Sequence, residues 1–399
     1  MLTRNAAPGA LEHWIAERFA ARDQVAAGFF AAQARPLAEA CRRMFERFER
    51  GGRLLAFGRG AYATDAQHVS VEFVHPVIVG KRALPAMDLS LAFEPWVEAV
   101  LEPDDIVMGF GPPQGDPAVA RVLARARERG ALTFALPGEA ADYAVGAPSA
   151  DPHIHQEMIE ILCHTLYETV HVYFEHGSEK GHDVGASAFL YPFLGASSAP
   201  QPDLVEHVAA SILMKAEDAR ALRNAVVSTQ RGAIAAAVAT IARELRAGGK
   251  LILFGNGGSA TDATDWALDC VMPEGAARPI RAISLALEPA IITAVANDVG
   301  TDVIFLRQLV AQAKPHDVAV ALSTSGGSKN VVAALEEARK RGMATVALLG
   351  YDGGEIVRRG LADVAIVVRS DYVPRIQEVQ GSVYHIVREA LDLGNGDAA

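Results

Sequence analysis

The chain of 399 residues reads as an α/β protein of two tandem domains, each a doubly wound parallel β-sheet flanked by helices. Three observations predict this. Short apolar runs alternate with longer segments whose apolar residues recur every three or four positions, as strands joined by covering helices do. The length suits two domains of about 200 residues, each able to bury a real core. One segment also occurs twice: LLAFGRGAYATDA at 54–66 returns 197 residues later as LILFGNGGSATDA at 251–263.

The repeat extends along both halves. LEHWIA at 11–16 matches VEHVAA at 205–210, and each opens a long helical pattern. Both patterns end in paired glycines, RGGR at 50–53 and AGGK at 247–250, where glycine suits a helix C-terminus. A strand at 105–110 matches one at 317–322, and helices at 119–129 and 331–341 are each followed by glycine and a further strand. Gln156 and His164 match Gln377 and His385. Each unit is expected as helix, helix, strand, helix, strand, strand, helix, strand, helix. The domains are expected at 1–176 and 204–399, joined by a Gly/Ser/Ala/Pro-rich linker at 177–203 whose apolar stretch 189–194 docks onto a domain. Residues 394–399 read as a frayed tail.

Composition narrows the function. A formal charge of −11 argues against a nucleic-acid partner. Three scattered cysteines fit a reduced cytoplasm better than a disulfide framework. No signal-peptide core is present, and no apolar run reaches the roughly 18–20 residues that span a bilayer, so no membrane is expected.

The second copy carries two loops suited to phosphate. Asn256, Gly257, Gly258 and Ser259 lie between a strand and a helix start, where glycines permit close backbone approach and free N–H groups meet an anion. Ser323, Thr324, Ser325 and Ser328 follow the next strand and add four hydroxyls at another helix start. Such Ser/Thr/Gly clusters also cap helices and form turns. Two of them after successive parallel strands converge on the sheet edge where these folds bind ligands.

These loops, with Asn297-Asp298, residues 350–354 (GYDGG) and 375–379 (RIQEV), resemble the sugar isomerase (SIS) domain, a flavodoxin-like fold, and within it the phosphoheptose isomerase group. The likeness covers nearly all of 205–393 and, more weakly, 11–175. It implies an aldose–ketose isomerase working through an enediol, with sedoheptulose 7-phosphate as substrate. It also implies that Asp298 and Gln377 grip sugar hydroxyls.

Family members place a His and a Glu four apart on one helix and a Gln and a His eight apart on the last. Some hold zinc with these four side chains. The matching residues of the first copy are His68, Glu72, Gln156 and His164, with Glu72 as base and His164 as acid. The second copy has Asp265, Asp269, Gln377 and His385 instead, which weakens its quartet. The first copy's loops are weakened in turn: Arg59, Ala61 and Tyr62 stand for Asn256, Gly258 and Ser259, and GPPQGD at 111–116 replaces the hydroxyl loop. The expectation is a composite site, phosphate loops from one repeat and the quartet from the other, in a homodimer forming a pseudo-tetramer of domains. The alternatives are a non-catalytic phosphosugar-binding regulator or scaffold, and an isomerase of another sugar phosphate. His153 and His155 are expected to line the pocket. His171, His176 and His182 are expected in solvent or linker.

Overall fold

The computed structural model describes residues 9–76, 81–177, 204–275 and 277–393. Most of the expected linker, with its apolar stretch, and the C-terminal tail lie outside them. The first repeat runs α1 (Ala10–Glu49), β1 (Leu54–Phe57), α2 (Ala63–Val74), β2 (Ala86–Asp88), α3 (Phe93–Val100), β3 (Ile106–Phe110), α4 (Pro117–Glu128), β4 (Leu132–Leu136), β5 (Tyr143–Ala144) and α5 (Pro152–Gly177). The second runs α6 (Leu204–Arg246), β6 (Leu251–Phe254), α7 (Gly258–Val271), β7 (Ala282–Ser284), α8 (Pro289–Asp298), α9 (Ile304–Gln312), β8 (Val318–Ser323), α10 (Lys329–Lys340), β9 (Ala344–Gly350), α11 (Gly354–Arg358), β10 (Val364–Val368) and α12 (Val373–Leu393).

Each repeat holds one five-stranded sheet, parallel throughout, in the orders β2-β1-β3-β4-β5 and β7-β6-β8-β9-β10. The registers agree as well. Leu54 faces Ile106 as Leu251 faces Val318, and Leu54 faces Ala86 as Leu251 faces Ala282. β1, β3, β4, β6 and β8 are buried at every position, as strands covered on both faces must be.

The same polar clasp recurs at equivalent places. Asp105 accepts the Arg53 backbone N–H at 2.9 Å, and Asp317 accepts that of Lys250 at 3.0 Å. Asp142 accepts the Thr133 backbone N–H at 3.0 Å, and Asp363 that of Thr345 at 2.9 Å. Each carboxylate satisfies a donor at the start of a strand, where the ladder supplies none.

Three details differ from the sequence expectation. A single 40-residue helix, α1, replaces the first two, continuing through Pro36. Each sheet has five strands rather than four, and the edge strand β5, two residues long, is too short for a periodic signal. Finally, the chain divides into compact units within its long helices, not at the linker. One unit is Gln24–Asp218, and the other is Met1–Asp23 with Ala219–Ala399. A 40-residue helix is roughly 60 Å long and outreaches a single domain. Its first turns place Ile15 and Phe19 in the core of the unit holding the second sheet, alongside Val226 and Ile234. There Glu389 of α12 meets Arg18 at 2.5 Å and Arg22 at 2.8 Å. In the other unit Lys215 of α6 pairs with the buried Glu168 of α5.

Among the described residues α6 alone is long and apolar enough to pass for a membrane span, with mean hydropathy 1.3 over 18 residues, where no such run was expected. Its alanine content raises that value. Its Ile234, Ala237 and Ile241 are fully buried in the core beside the second sheet.

Trp266 of α7 is completely buried and stacks on Tyr384 of α12, with ring centroids 5.6 Å apart. Trp266→Ala is expected to destabilise this unit by about 3–5 kcal/mol. Urea unfolding monitored by near-ultraviolet circular dichroism measures it, and a loss below about 1 kcal/mol would show that the α7–α12 contact matters little.

Candidate phosphate loops and metal-ligating clusters

In the unit of the second sheet, three loops leave the C-terminal ends of the adjacent strands β6, β8 and β9. They pack backbone against backbone. A Cβ on Gly255 would lie 2.4 Å from the Ser259 carbonyl oxygen. One on Gly326, whose φ is +59°, would lie 2.2 Å from that of Gly353. Only glycine permits these approaches.

Hydrogen bonds set the loop shape. The Ser323 hydroxyl accepts from the Gly326 N–H at 3.1 Å, and the Ser325 hydroxyl from that of Gly327 at 3.2 Å. Asn256 and Asn330 exchange two side-chain amide bonds of 2.9 Å, tying the first loop to the start of α10. Gly257, at φ +56°, precedes the first turn of α7, which holds Gly258 and the buried Ser259. Ser328 stands at the N-cap of α10 without using its side chain to cap. Asn256, Gly257, Gly258, Ser259, Ser323, Thr324, Ser325 and Ser328 therefore border two helix N-termini at one sheet edge, a geometry suited to an anion. Asp298 instead ends α8 at the surface, where its carboxylate accepts from Asn297 at 2.8 Å.

The first unit treats the equivalent place differently. Asp116 accepts the Ala118 N–H at 2.7 Å and the Val119 N–H at 3.3 Å, capping α4. Arg59 lies 3.5 Å from the same carboxylate. The helix terminus that would face a phosphate already has a side-chain anion.

Below these loops each unit buries a cluster of potential ligands. In the first, the Nε2 atoms of His68 on α2 and His164 on α5 are 3.0 Å apart. Glu160 joins them: its carboxylate and the two imidazoles lie within 4.8 Å of one another, all buried. Glu72 is also buried, with Oε1 3.9 Å from His68 Nε2. Gln156 points its amide nitrogen at Asp65 and Thr64, each at 3.4 Å. Of the expected quartet, the two histidines meet, Glu72 flanks them, and Gln156 faces Asp65. Glu160 was missed from the sequence, although 156, 160 and 164 follow each other at four-residue steps on one helix face. Two imidazoles and a carboxylate form a donor set that fits zinc or a similar divalent ion.

In the second unit Asp265, Asp269 and His385 form the corresponding buried group. His385 Nε2 lies 3.4 Å from Asp265 and 3.3 Å from Asp269. Tyr384 donates to Asp265 at 2.7 Å, and Gln377 is buried on α12.

Other titratable groups have structural places. His155 is fully buried, its Nε2 3.0 Å from the Gly111 carbonyl oxygen. Burial lowers its pKa to about 4 despite that bond. His171, expected in solvent, is buried between the Tyr167 and Arg82 carbonyls, because its ring packs against Tyr167 and Phe73. The side chains of His176 and His182 lie outside the described residues. All three cysteines are buried and free, and burial pushes each thiol up, so none is a ready nucleophile.

Fold and site define the class, a tandem SIS-domain protein. The SIS-domain family model matches residues 216–350. A phosphoheptose isomerase of Geobacter sp. (strain M21) is 44% identical over 161 residues, which are 40% of this chain and 83% of that protein. A probable phosphoheptose isomerase of Thermoplasma acidophilum is 42% identical over 155 residues, again 83% of its length. The chain belongs to the phosphoheptose isomerase family of SIS-domain proteins. Over nearly its whole length it shares its fold with two solved structures. The C-terminal domain of glucosamine-fructose-6-phosphate aminotransferase from Francisella tularensis has a TM-score of 0.62 at 9% identity, covering 97% of this chain and 98% of that one. Tagatose-6-phosphate ketose/aldose isomerase from Escherichia coli has a TM-score of 0.52 at 12% identity, covering 96% and 94%.

The lowered His155 pKa fixes the sign of a pH effect. Below about pH 6.5 the unfolded chain takes up a proton that the native chain refuses. Stability is therefore full above pH 6.5 and falls as the pH drops towards 4, by about 3 kcal/mol in all. Urea titrations at stepped pH should show this slope in the wild type and lose it in His155→Gln. Equal slopes in both would assign the effect to other groups.

Proposed function

We propose that the chain interconverts an aldose and a ketose phosphate through an enediol, with sedoheptulose 7-phosphate as the substrate. The observation that carries this reading is the set of hydroxyls and helix N-termini gathered at the ends of β6 and β8. Ser259, Thr324, Ser325 and Ser328 bind the phosphate there together with the backbone N–H groups of α7 and α10. Gln377 and Asp298 serve as groups for the sugar hydroxyls.

Glu72 removes the proton from the carbon beside the carbonyl, and the same proton is returned to the former carbonyl carbon. His164 protonates the carbonyl oxygen as the enediol forms and takes the proton of the neighbouring hydroxyl as the new carbonyl appears. A divalent cation such as zinc, held by His68, His164 and Glu160 with Glu72 and Gln156 beside them, would stabilise the negative charge that develops on oxygen. In that state the imidazoles are ligands, and Glu72 remains the proton carrier nearest them.

In this reading both repeats serve one reaction, since the phosphate loops are intact in one and the His/Glu groups in the other. Each repeat also exposes apolar residues, Leu91 and Trp96 in the first and Leu287 and Ile291 in the second, which is in keeping with self-association into a homodimer. A phosphosugar-binding regulator without turnover is the second reading, favoured by Asp265 and Asp269 standing where the first repeat has His68 and Glu72.

Steady-state kinetics with sedoheptulose 7-phosphate test the proposal. Ser325→Ala should raise KM about tenfold, the worth of one hydrogen bond to a charged group. Glu72→Gln should lower kcat by about 10²–10⁴ with little change in KM. His68→Ala should also abolish most turnover, and an unchanged kcat there would exclude the first repeat from the reaction. Binding of the sugar phosphate without turnover in the wild type would favour the regulator.

A further inference from the structure

We propose that Asn330 on α10 is a positioning residue, which holds the two phosphate-facing helix starts of the second unit at a fixed spacing through a neutral amide clasp with Asn256. The proposal rests on the phosphate reading of these loops and not on the isomerase chemistry. Asn256 follows β6, and Asn330 lies in the first turn of α10, 74 residues further on. Each side chain donates from Nδ2 to the other's Oδ1, and both bonds are 2.9 Å. Two bonds between planar amides fix direction as well as distance, so each side chain is held in one orientation. An amide nitrogen carries two hydrogens, so each residue keeps one N–H beyond the clasp.

Stability alone does not account for the pair. Asn256 is exposed and Asn330 half-buried. Water satisfies both amides when such a pair opens, so the net gain to the fold is small. The need lies in the loops. The N-termini of α7 and α10 both carry positive partial charge, and like charges push them apart. The glycines before them are free to yield: a Cβ on Gly257 would meet nothing within 4 Å, and one on Gly327 nothing closer than 3.9 Å. A tie across the two loops resists that parting. A neutral tie does so without filling the place of an anion.

The first unit supplies a comparison within the same chain. Aligned through the repeat, Asn256 corresponds to Arg59, Ser328 to Asp116 and Asn330 to Ala118. There the same two loops are joined by Arg59 and Asp116, 3.5 Å apart. Both copies thus tie the turn after their first strand to the start of the helix after their third. The first uses an ion pair whose carboxylate also caps α4, 2.7 Å from the Ala118 N–H. The second uses two amides and does not spend the Ser328 side chain on a cap. The tie persists while its charge changes, as a helix start that must stay open to an anion requires.

Calorimetric titration of the full-length protein with inorganic phosphate tests this. Asn330→Ala is expected to weaken phosphate binding about three- to tenfold while the urea midpoint stays where it is. In an Asn256→Ala background the same change should cost nothing further, because a residue that acts through Asn256 has no effect once that side chain is gone. Asn330→Asp still offers Asn256 an acceptor but brings a carboxylate to the start of α10, and should bind phosphate more weakly than Asn330→Ala. An unchanged Kd in Asn330→Ala, or an equal loss in both backgrounds, would overturn the proposal, and so would Asn330→Asp binding as tightly as the wild type. If Asn330→Ala does not fold, the Asp variant decides. No phosphate binding by the wild type would overturn the phosphate reading and the clasp together, whereas wild-type binding that ignores Asn330 overturns the clasp alone. Turnover is not read, so failure of the isomerase reading leaves the result intact.

Discussion

The site depends on backbone touching backbone. Where the loops after β6, β8 and β9 meet, carbonyl oxygens of Gly353, Ser325 and Ser259 occupy the space in which a Cβ of Gly326, Gly354 or Gly255 would sit. Removing the side chains lets three strand ends close on one another, and the hydroxyls of Ser323 and Ser325 then hold the curl by bonding to N–H groups within the loop. The order β6-β8-β9 within a parallel sheet brings those ends together. With such small residues, a bulky substitution at Gly326 would part the loops before it altered any contact to a ligand.

Much of this was legible in the sequence. The repeated LLAF/LILF strand and glycine turn revealed two sheets, and the structure gives both the same strand order and register. The strand-to-helix position of the hydroxyl loop was legible because serine and glycine cluster between an apolar run and a helical pattern. The course of the two long helices was not. Local periodicity says that Ile15 and Phe19 face a core, but not which core, and that choice is made by partners two hundred residues away. Glu160 escaped for a related reason. A glutamate on a helix usually faces water, and only the approach of α2 shows that this one meets two imidazoles. His171 was misplaced although Val170, Val172 and Tyr173 flank it in sequence, because only the approach of Phe73 from α2 shows that its face of α5 is buried.

Duplication has allowed each copy to change what the other retains. In the second unit the loops keep their hydroxyls while the helix below exchanges a histidine and a glutamate for aspartates. In the first, the buried histidines persist while the loops lose theirs. Both units nevertheless keep the Asp105 and Asp317 clasps and the Asp142 and Asp363 clasps, which belong to the sheet and not to any ligand. The scaffold and the chemistry have therefore varied independently.

The Asp116 cap has a consequence for how the two sheets respond to substrate. A helix N-terminus that holds its own carboxylate is complete without a guest, so anion binding adds nothing to the stability of that unit. Ser328 at the start of α10 brings no such carboxylate, so a phosphate bound there, as proposed, would stabilise the folded state by mass action. On the proposed reading the anion would be a removable part of that helix terminus. Heat or denaturant would then unfold the second sheet earlier without phosphate than with it, whereas the Asp116-capped helix of the first needs no phosphate to complete its terminus.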